Sequence, residues 1–214
     1  MRVLYLHGFA SSPLSSKAAF FAEKLGARGI PFDAPDLNLP DFSTLTVSRM
    51  LEQAGRVIDA SGGPVTVMGS SLGGFVAVHA ALRYPALVHR VVLLAPALEV
   101  RGERLSELGD RGLHAWQSSD RLDVFHYAYG RTMPVHYELY ADAERYNAFD
   151  AQLTQPVQVF QGRRDSAVDP DTVAGWAAAR PYVELHLLDD DHQLHGSLDY
   201  IWSELDRFLH QQMP

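Results

Sequence analysis

The chain contains no cysteine, which excludes disulfides, thiolate nucleophiles and zinc–thiolate sites together. It has no run approaching 18 consecutive apolar residues, so no segment reads as a membrane span. Basic residues are scarce, 18 Lys and Arg against 26 Asp and Glu, and they form no cluster. The resulting formal charge of −8 argues against nucleic acid or an anionic membrane as a partner. Internal repeats and low-complexity segments are absent. The ten histidines form no H-x-x-x-H or H-E-x-x-H pattern, so no metal centre is expected; His192 and His195 could share an ion only with a third ligand that the sequence does not name. The opening "MRVLYLHGF" lacks the longer apolar region and small-residue cleavage site of a secretory leader and reads as a core strand. A chain without cysteine fits a reducing cytoplasm, and the oligomeric state is left open.

What is present is the material of one ordinary globular domain: 214 residues, 47% hydrophobic and 21% charged. Six short apolar runs bounded by Gly, Pro or Asp read as strands: Val3 to Leu6, Ile30 to Ala34, Val65 to Met68, Arg90 to Leu94, Val157 to Phe160 and Val183 to Leu188. Helical patterns lie between them, at Ser16 to Arg28, Leu45 to Ala60, Leu72 to Tyr84 and Thr172 to Ala179, and Leu198 to His210 closes the series. Strands apolar on both faces that alternate with helices predict a mostly parallel sheet of about six strands covered on both sides. Right-handed crossovers give the order 2-1-3-4-5-6, with functional residues just after strands at their carboxyl ends.

One stretch breaks the alternation. Residues 97 to 150 separate the fourth and fifth strands by far more than one helix needs and hold Trp116, Phe125, Tyr127, Tyr129, Tyr137, Tyr140, Tyr146 and Phe149. Within it "DVFHYAYGRTMPVHYEL" predicts a hairpin and "YELYADAERY" a helix. The segment is expected to form a small cap over the carboxyl edge of a single domain spanning 1–214.

"VTVMGSSLGGFVAVHAALRYP" carries the chemistry. Gly69-Ser70-Ser71-Leu72-Gly73 satisfies G-x-S-x-G only with Ser71 at the centre, between a strand signal and a helix signal. A serine hydroxyl needs a base, and that base an orienting carboxylate, in the chain order Ser, Asp or Glu, His. In "VELHLLDDDHQLHGS" the base is expected at His192, directly after the last strand, in preference to His195. The aspartates Asp189 to Asp191 read as a solvated acidic turn. In "VQVFQGRRDSAVDPDTV" the carboxylate is expected at Asp165; Asp169, before Pro170, has an N-cap's place, and Asp171 follows it. Oxyanion donors are expected from the backbone N–H groups of Leu72, at the helix start, and of Phe9 in "YLHGFASSP", with Ala10 second. His7 is expected to hold that loop, and no role is assigned to Ser70.

These residues resemble the α/β-hydrolase superfamily, and more closely its small YqiA-like esterases, through "YLHGFASSPLSSKA" at 5 to 18, "GSSLGG" at 69 to 74, "QGRRDSAVD" at 161 to 169 and "DDDHQL" at 189 to 194. The resemblance implies a compact hydrolase fold that begins at the strand bearing the HG turn and needs no cofactor. It also implies Ser71, Asp165 and His192 as nucleophile, acid and base, with Phe9 and Leu72 at the oxyanion hole. The chain departs from the compact esterases in the length of segment 97 to 150. The expected activity is hydrolysis of a small-molecule carboxylic ester with a short to medium acyl chain. Thioester or amide cleavage by the same groups, and a silent ligand-binding protein on the same scaffold, are the alternatives.

Overall fold

The computed structural model describes residues 1–99 and 109–211. The six apolar runs form one parallel sheet of β1 (Arg2–Leu6), β2 (Phe32–Asp33), β3 (Val65–Ser70), β4 (Val88–Leu94), β7 (Val157–Gly162) and β8 (Val183–Leu188), in the order β2-β1-β3-β4-β7-β8. The two numbers skipped belong to an antiparallel hairpin, β5 (Leu122–His126) and β6 (Arg131–Val135). Counted among the sheet's own members, the order is therefore 2-1-3-4-5-6, and every pairing is parallel. The second strand is shorter than its apolar run suggests, because only Val3 and Leu4 find partners there, in Phe32 and Asp33.

The helices are α1 (Ser16–Ala27), α2 (Val47–Asp59), α3 (Leu72–Arg83), α4 (Gly109–Ser119), α5 (Glu138–Ala143), α6 (Pro170–Ala178) and α7 (Leu198–His210). Ser15, Thr46 and Asp169 start α1, α2 and α6 by accepting a backbone N–H from the first turn with their side chains. Each such cap contributes about 1 kcal/mol. Thr46 also explains why α2 begins two residues later than its apolar pattern: Phe42–Thr44 forms a separate 3-10 turn before it.

β3 and β7 are buried at every position, as strands covered on both faces must be. On one face Phe21 and Leu25 of α1 and Ile201, Leu205 and Phe208 of α7 pack against Val3, Tyr5, Met68, Val92 and Phe160. On the other, Met50, Ala54 and Ile58 of α2, Phe75 and Val76 of α3 and Trp176 of α6 cover Leu4, Leu6, Val67, Leu93 and Val159. A fully buried side chain of this size contributes on the order of 1.5–3 kcal/mol, so these two layers fix the sheet. All carboxyl ends then point to one edge.

The insertion between β4 and β7 holds α4, the hairpin and α5; its residues 100–108 lie outside the described residues. Hairpin and second helix lie where their patterns predict, whereas α4 has no counterpart in the sequence reading. The hairpin turns at Gly130, φ +63°, and leans on the loops that follow β1 and β2. Tyr127 N–H donates to Ala10 O at 3.0 Å and His136 N–H to Ser43 O at 2.8 Å. The His126 ring stacks on Tyr129 with centroids 3.9 Å apart and meets Phe42 edge-on at 4.6 Å; Phe42 in turn lies 5.4 Å from Phe9.

Two glycine substitutions separate close approach from mere presence. A Cβ at Gly73 would lie 2.0 Å from Leu6 O, whereas one at Gly26 in α1 meets nothing within 4 Å. Gly73→Ala is expected to lower the unfolding free energy by about 3 kcal/mol or more, and Gly26→Ala to raise it by about 0.5 kcal/mol, both read from urea midpoints at unchanged slope.

Candidate active site

The strand β3 ends in a turn too tight for side chains on its flanks. A Cβ at Gly69 would lie 2.1 Å from Gly73 O, so β3 and α3 approach this closely only with glycine at both positions. Ser71, between them, is forced to φ 53°, ψ −119°, a conformation that costs a non-glycine residue about 1–3 kcal/mol. Hydrogen bonds hold it there: Ser71 N–H donates to Leu94 O at 2.9 Å, and Ser71 O accepts from Gly74 N–H at 2.8 Å and Ala97 N–H at 3.1 Å. Although Ser71 is the N-cap residue of α3, its hydroxyl makes no capping bond and is left for other partners.

That partner comes from the far end of the chain. His192 Nε2 lies 3.1 Å from Ser71 Oγ, and His192 Nδ1 lies 2.8 Å from Asp165 Oδ2. Asp165 is buried with all its acceptor capacity used: Oδ1 accepts the backbone N–H groups of Ala167 and Val168 at 2.8 and 2.9 Å, and Oδ2 also accepts Gln161 Nε2 at 2.9 Å. Burial alone would raise the Asp165 carboxyl; the His192 hydrogen bond and charge, with the Val168 and Ala167 amides, outweigh it and hold the group below the usual carboxylate range.

The loops bearing these two residues are locked together. Arg163 N–H donates to Leu188 O at 2.8 Å and Arg164 N–H to Asp190 O at 3.0 Å, and the Arg164 and Asp189 side chains pair outside them. The aspartates of this turn are not uniformly solvated: Asp190 is buried and accepts from the Ser197 hydroxyl at 2.7 Å and from Asp191 N–H at 2.8 Å. The loop doubles back on itself and needs an internal acceptor.

The HG turn after β1 closes the other side. A Cβ at Gly8 would lie 3.3 Å from Ser71 Cβ, so this turn sits directly on the serine, with Phe9 and Ala10 (φ 52°) following. His7 is buried; its Nε2 accepts Leu37 N–H at 3.0 Å, which leaves Nδ1 as the donor to Gly8 O at 2.9 Å. Burial, partly offset by Gly8 O and Asp36, keeps the ring's pKa below its ordinary value. His7 thus ties two loops as a neutral ring. Among the described non-glycine residues with positive φ, Ala10, Ser71, Ala95 and Leu194 follow β1, β3, β4 and β8 at the carboxyl edge, and only Asp120 lies elsewhere. Strain gathered in this way marks a functional edge.

The remaining candidates are placed elsewhere. His195 turns away from Ser71 and bonds Ser16 Oγ at 2.8 Å; Asp169 caps α6 through Asp171 and Thr172 N–H. Sequence reasoning missed Gln161, a polar residue at the end of an apolar strand, whose amide fixes Asp165. It also missed Ser70: Tyr5 is wholly buried, its phenol pushed up to about 12 by that burial, with opposing hydrogen bonds from Ser15 and Ser70. Among the described residues the grouping suited to a metal ion is Glu184, His186 and Glu204. It lies along β8 and α7, and both of its glutamates already pair with Arg207.

A cavity of about 300 Å³ opens beside α3, one turn beyond Ser71, lined by Phe75, Leu98, Glu99, Ala143, Glu144, Tyr146 and Asn147. Behind it His79 is buried edge-on between Phe75 and Tyr146, with Nε2 unpartnered among the described residues.

The model of the family described as "Uncharacterised protein family (UPF0227)" matches residues 2–209. The lipase LipV of Mycobacterium tuberculosis is 38% identical over 99 residues, a match that covers 44% of this chain and 37% of that lipase. Among solved structures, alpha/beta hydrolase domain-containing protein 10 from mouse superposes with a TM-score of 0.82 at 21% identity, over 97% of this chain and 88% of that one. Est1E from Butyrivibrio proteoclasticus, solved with ferulic acid bound, gives 0.82 at 17% identity over 98% and 88%. The two structural likenesses are likenesses of fold.

His79 makes stability depend on acidity. Burial lowers its pKa from 6.5 to about 4, so at pH 7 the ring is neutral in the folded chain and mostly neutral in the unfolded one. As the pH falls below 6.5 the unfolded chain takes up the proton first, and stability is lost down to about pH 4, by about 3 kcal/mol in full. His79→Phe keeps the ring packing and is expected to remove this loss. The wild-type and variant unfolding free energies, compared by urea titration at pH 7 and 4.5, should diverge in favour of the variant at the lower pH.

Proposed function

The chain belongs to the UPF0227 family within the α/β-hydrolase superfamily, and on that footing we propose that it is a serine hydrolase of carboxylic esters. The observation that carries the proposal is the hydrogen-bonded line Ser71–His192–Asp165, at 3.1 and 2.8 Å, beginning at a serine held at φ 53°. Ser71 Oγ attacks the ester carbonyl while His192 Nε2 takes its proton. The imidazolium so formed keeps its Nδ1–H on Asp165, which stays anionic. The tetrahedral intermediate collapses as His192 returns the proton to the departing alcohol, leaving an acyl-serine; water, deprotonated by the same nitrogen, then releases the acid and restores Ser71.

The negative charge on the tetrahedral oxygen requires donors already in place, each worth about a hundredfold to a thousandfold in rate. The backbone N–H groups of Leu72, at the start of α3, and Phe9, beyond Gly8, are assigned that role. In support, neither amide is paired with an acceptor among the described residues, and the helix start adds partial positive charge. The cavity beside Phe75 has the volume for a short to medium acyl group. A curated relative that is a lipase and a structural neighbour that binds ferulic acid are consistent with an ester substrate.

A fluorophosphonate probe should label the wild-type protein and Ser70→Ala, and leave Ser71→Ala unlabelled. Hydrolysis of p-nitrophenyl esters of graded acyl length should fall on the order of 10⁴- to 10⁶-fold in Ser71→Ala, be lost in His192→Ala, and be largely kept in His195→Ala. Labelling that survives Ser71→Ala would overturn the nucleophile. Probe labelling with no ester turnover, but with thioester or amide turnover, would move the substrate class instead.

A further inference from the structure

The grouping of Glu184, His186 and Glu204 is assembled by neighbouring elements and not by one acidic stretch. Alternation along β8 sends Glu184 and His186 to the same face of the sheet, and the register sets them against Gln158 and Phe160 of β7. α7 packs over that face, and its residues Tyr200, Glu204 and Arg207, at i, i+4 and i+7, share one side of the helix. The ligand atoms of Glu184, His186 and Glu204 all lie within 4.8 Å of one another. No H-x-x-x-H spacing announces such a site, because its residues come from separate elements.

Beneath the cluster a buried polar group is left unanswered. Gln158 is wholly buried, and its Oε1 has no hydrogen-bond partner among the described residues. Its Nε2 makes only long contacts, 3.4 Å from His186 Nε2 and 3.5 Å from Glu184 Oε2 and the Glu204 carbonyl oxygen. A buried amide held so loosely is costly, and an orphaned group of this kind calls for a partner from outside the chain. His186, by contrast, is held as a metal-ligating imidazole is held. Its ring stacks on Phe160 with centroids 4.8 Å apart, and Nδ1 lies 3.0 Å from the Tyr200 hydroxyl. A ring that gives its Nδ1 proton to that hydroxyl turns the Nε2 lone pair toward Glu184 Oε1, 3.2 Å away. Two lone pairs facing each other need a cation.

Arg207 supplies only part of that charge. Its guanidinium bonds Glu184 Oε1 and Glu204 Oε2, but among the described residues it bonds neither His186 nor Gln158, and its side chain is 48% exposed. It can be displaced into water. The inner separations suit a smaller ion: tetrahedral bonds of about 2.0–2.2 Å put neighbouring ligand atoms about 3.3–3.6 Å apart, against 3.2, 3.4 and 3.5 Å here. Turning the Gln158 amide over places Oε1 where Nε2 stands and gives the orphaned oxygen its partner. We propose that Gln158 Oε1, Glu184, His186 Nε2 and Glu204 form a zinc site that ties β7 and β8 to α7, with Arg207 as a placeholder that the ion displaces. An imidazole among oxygen ligands suits zinc better than magnesium or calcium, which take oxygen alone. β8 ends and α7 begins on either side of the loop that carries His192, so the ion would clasp both ends of that loop. The site does not depend on the serine-hydrolase reading.

The test is calorimetric titration of zinc chloride into the chelator-treated full chain at pH 7.5, with melting temperatures measured with and without the ion. One zinc per chain should bind saturably and, at a hundredfold excess over Kd, raise Tm by about 5 °C or more. His186→Phe, which keeps an aromatic ring against Phe160, and the isosteric Glu204→Gln should each weaken binding at least about tenfold. Arg207→Met should tighten it several-fold, because no guanidinium has to leave, and His192→Ala should leave it unchanged. A wild-type protein that takes up no zinc saturably overturns the proposal. So does binding that survives both His186→Phe and Glu204→Gln, that is lost in His192→Ala, or that is no tighter in Arg207→Met.

Discussion

The site depends on how closely three pieces of backbone approach one another at the end of β3. With 2.1 Å between a would-be Cβ at Gly69 and Gly73 O, and 2.0 Å between one at Gly73 and Leu6 O, there is room for hydrogen and for nothing larger. This contact sets the angle at which α3 leaves the sheet. It pushes Ser71 into a backbone conformation that lifts its hydroxyl off the helix it would otherwise cap, and it seats the HG turn of the first strand against the serine. The strain, about 1–3 kcal/mol at one residue, is small beside the buried layers of apolar side chains on either face of the sheet.

The second requirement is that two loops separated in sequence act as one body. Backbone bonds from Arg163 and Arg164 to Leu188 and Asp190 join them, and both oxygens of Asp165 and of Asp190 accept hydrogen bonds from within the protein. The result places a carboxylate, an imidazole and a hydroxyl in line. It also gathers several carboxylates at one edge, Asp165 on one loop and Asp189, Asp190 and Asp191 on the other. The N-terminus of α1 meets the second of these loops through Ser16 and His195.

The inserted hairpin adds a third level. Its main-chain bond to Ala10 and the ring series Tyr129, His126, Phe42 and Phe9 run from the solvent-facing turn to the loop beside Ser71. The aromatic residues of this segment range from buried to exposed, with Tyr137, Tyr140, Tyr146 and Phe149 partly buried against the core. Trp116 is buried and donates its indole N–H to Val135 O, holding the insertion together, while Phe125, Tyr127 and Tyr129 remain exposed on the hairpin.

Much of this was legible in one dimension, for reasons that are local. Strands buried on both faces must be apolar throughout, so Val65–Met68 and Val157–Phe160 announced themselves, and parallel topology left few strand orders. Glycine spacing singled out Ser71 from Ser70, and the Asp169–Pro170 pair marked a helix start. The expected Ser71, Asp165 and His192 stand in contact because chain order and strand ends constrain where such groups can meet. The sequence could not decide contacts between side chains 94 to 179 residues apart, which depend on how loops fold back. Such contacts include Ser16 with His195, Asp142 with Ser48 and Ser71 with His192. Nor could it reveal Gln161 behind Asp165 or Tyr5 behind Ser70, because a polar residue's burial and its partner are set by neighbouring strands. Local pattern determined most of the elements and the order of the sheet; the satisfaction of buried polar groups was decided only when those elements packed.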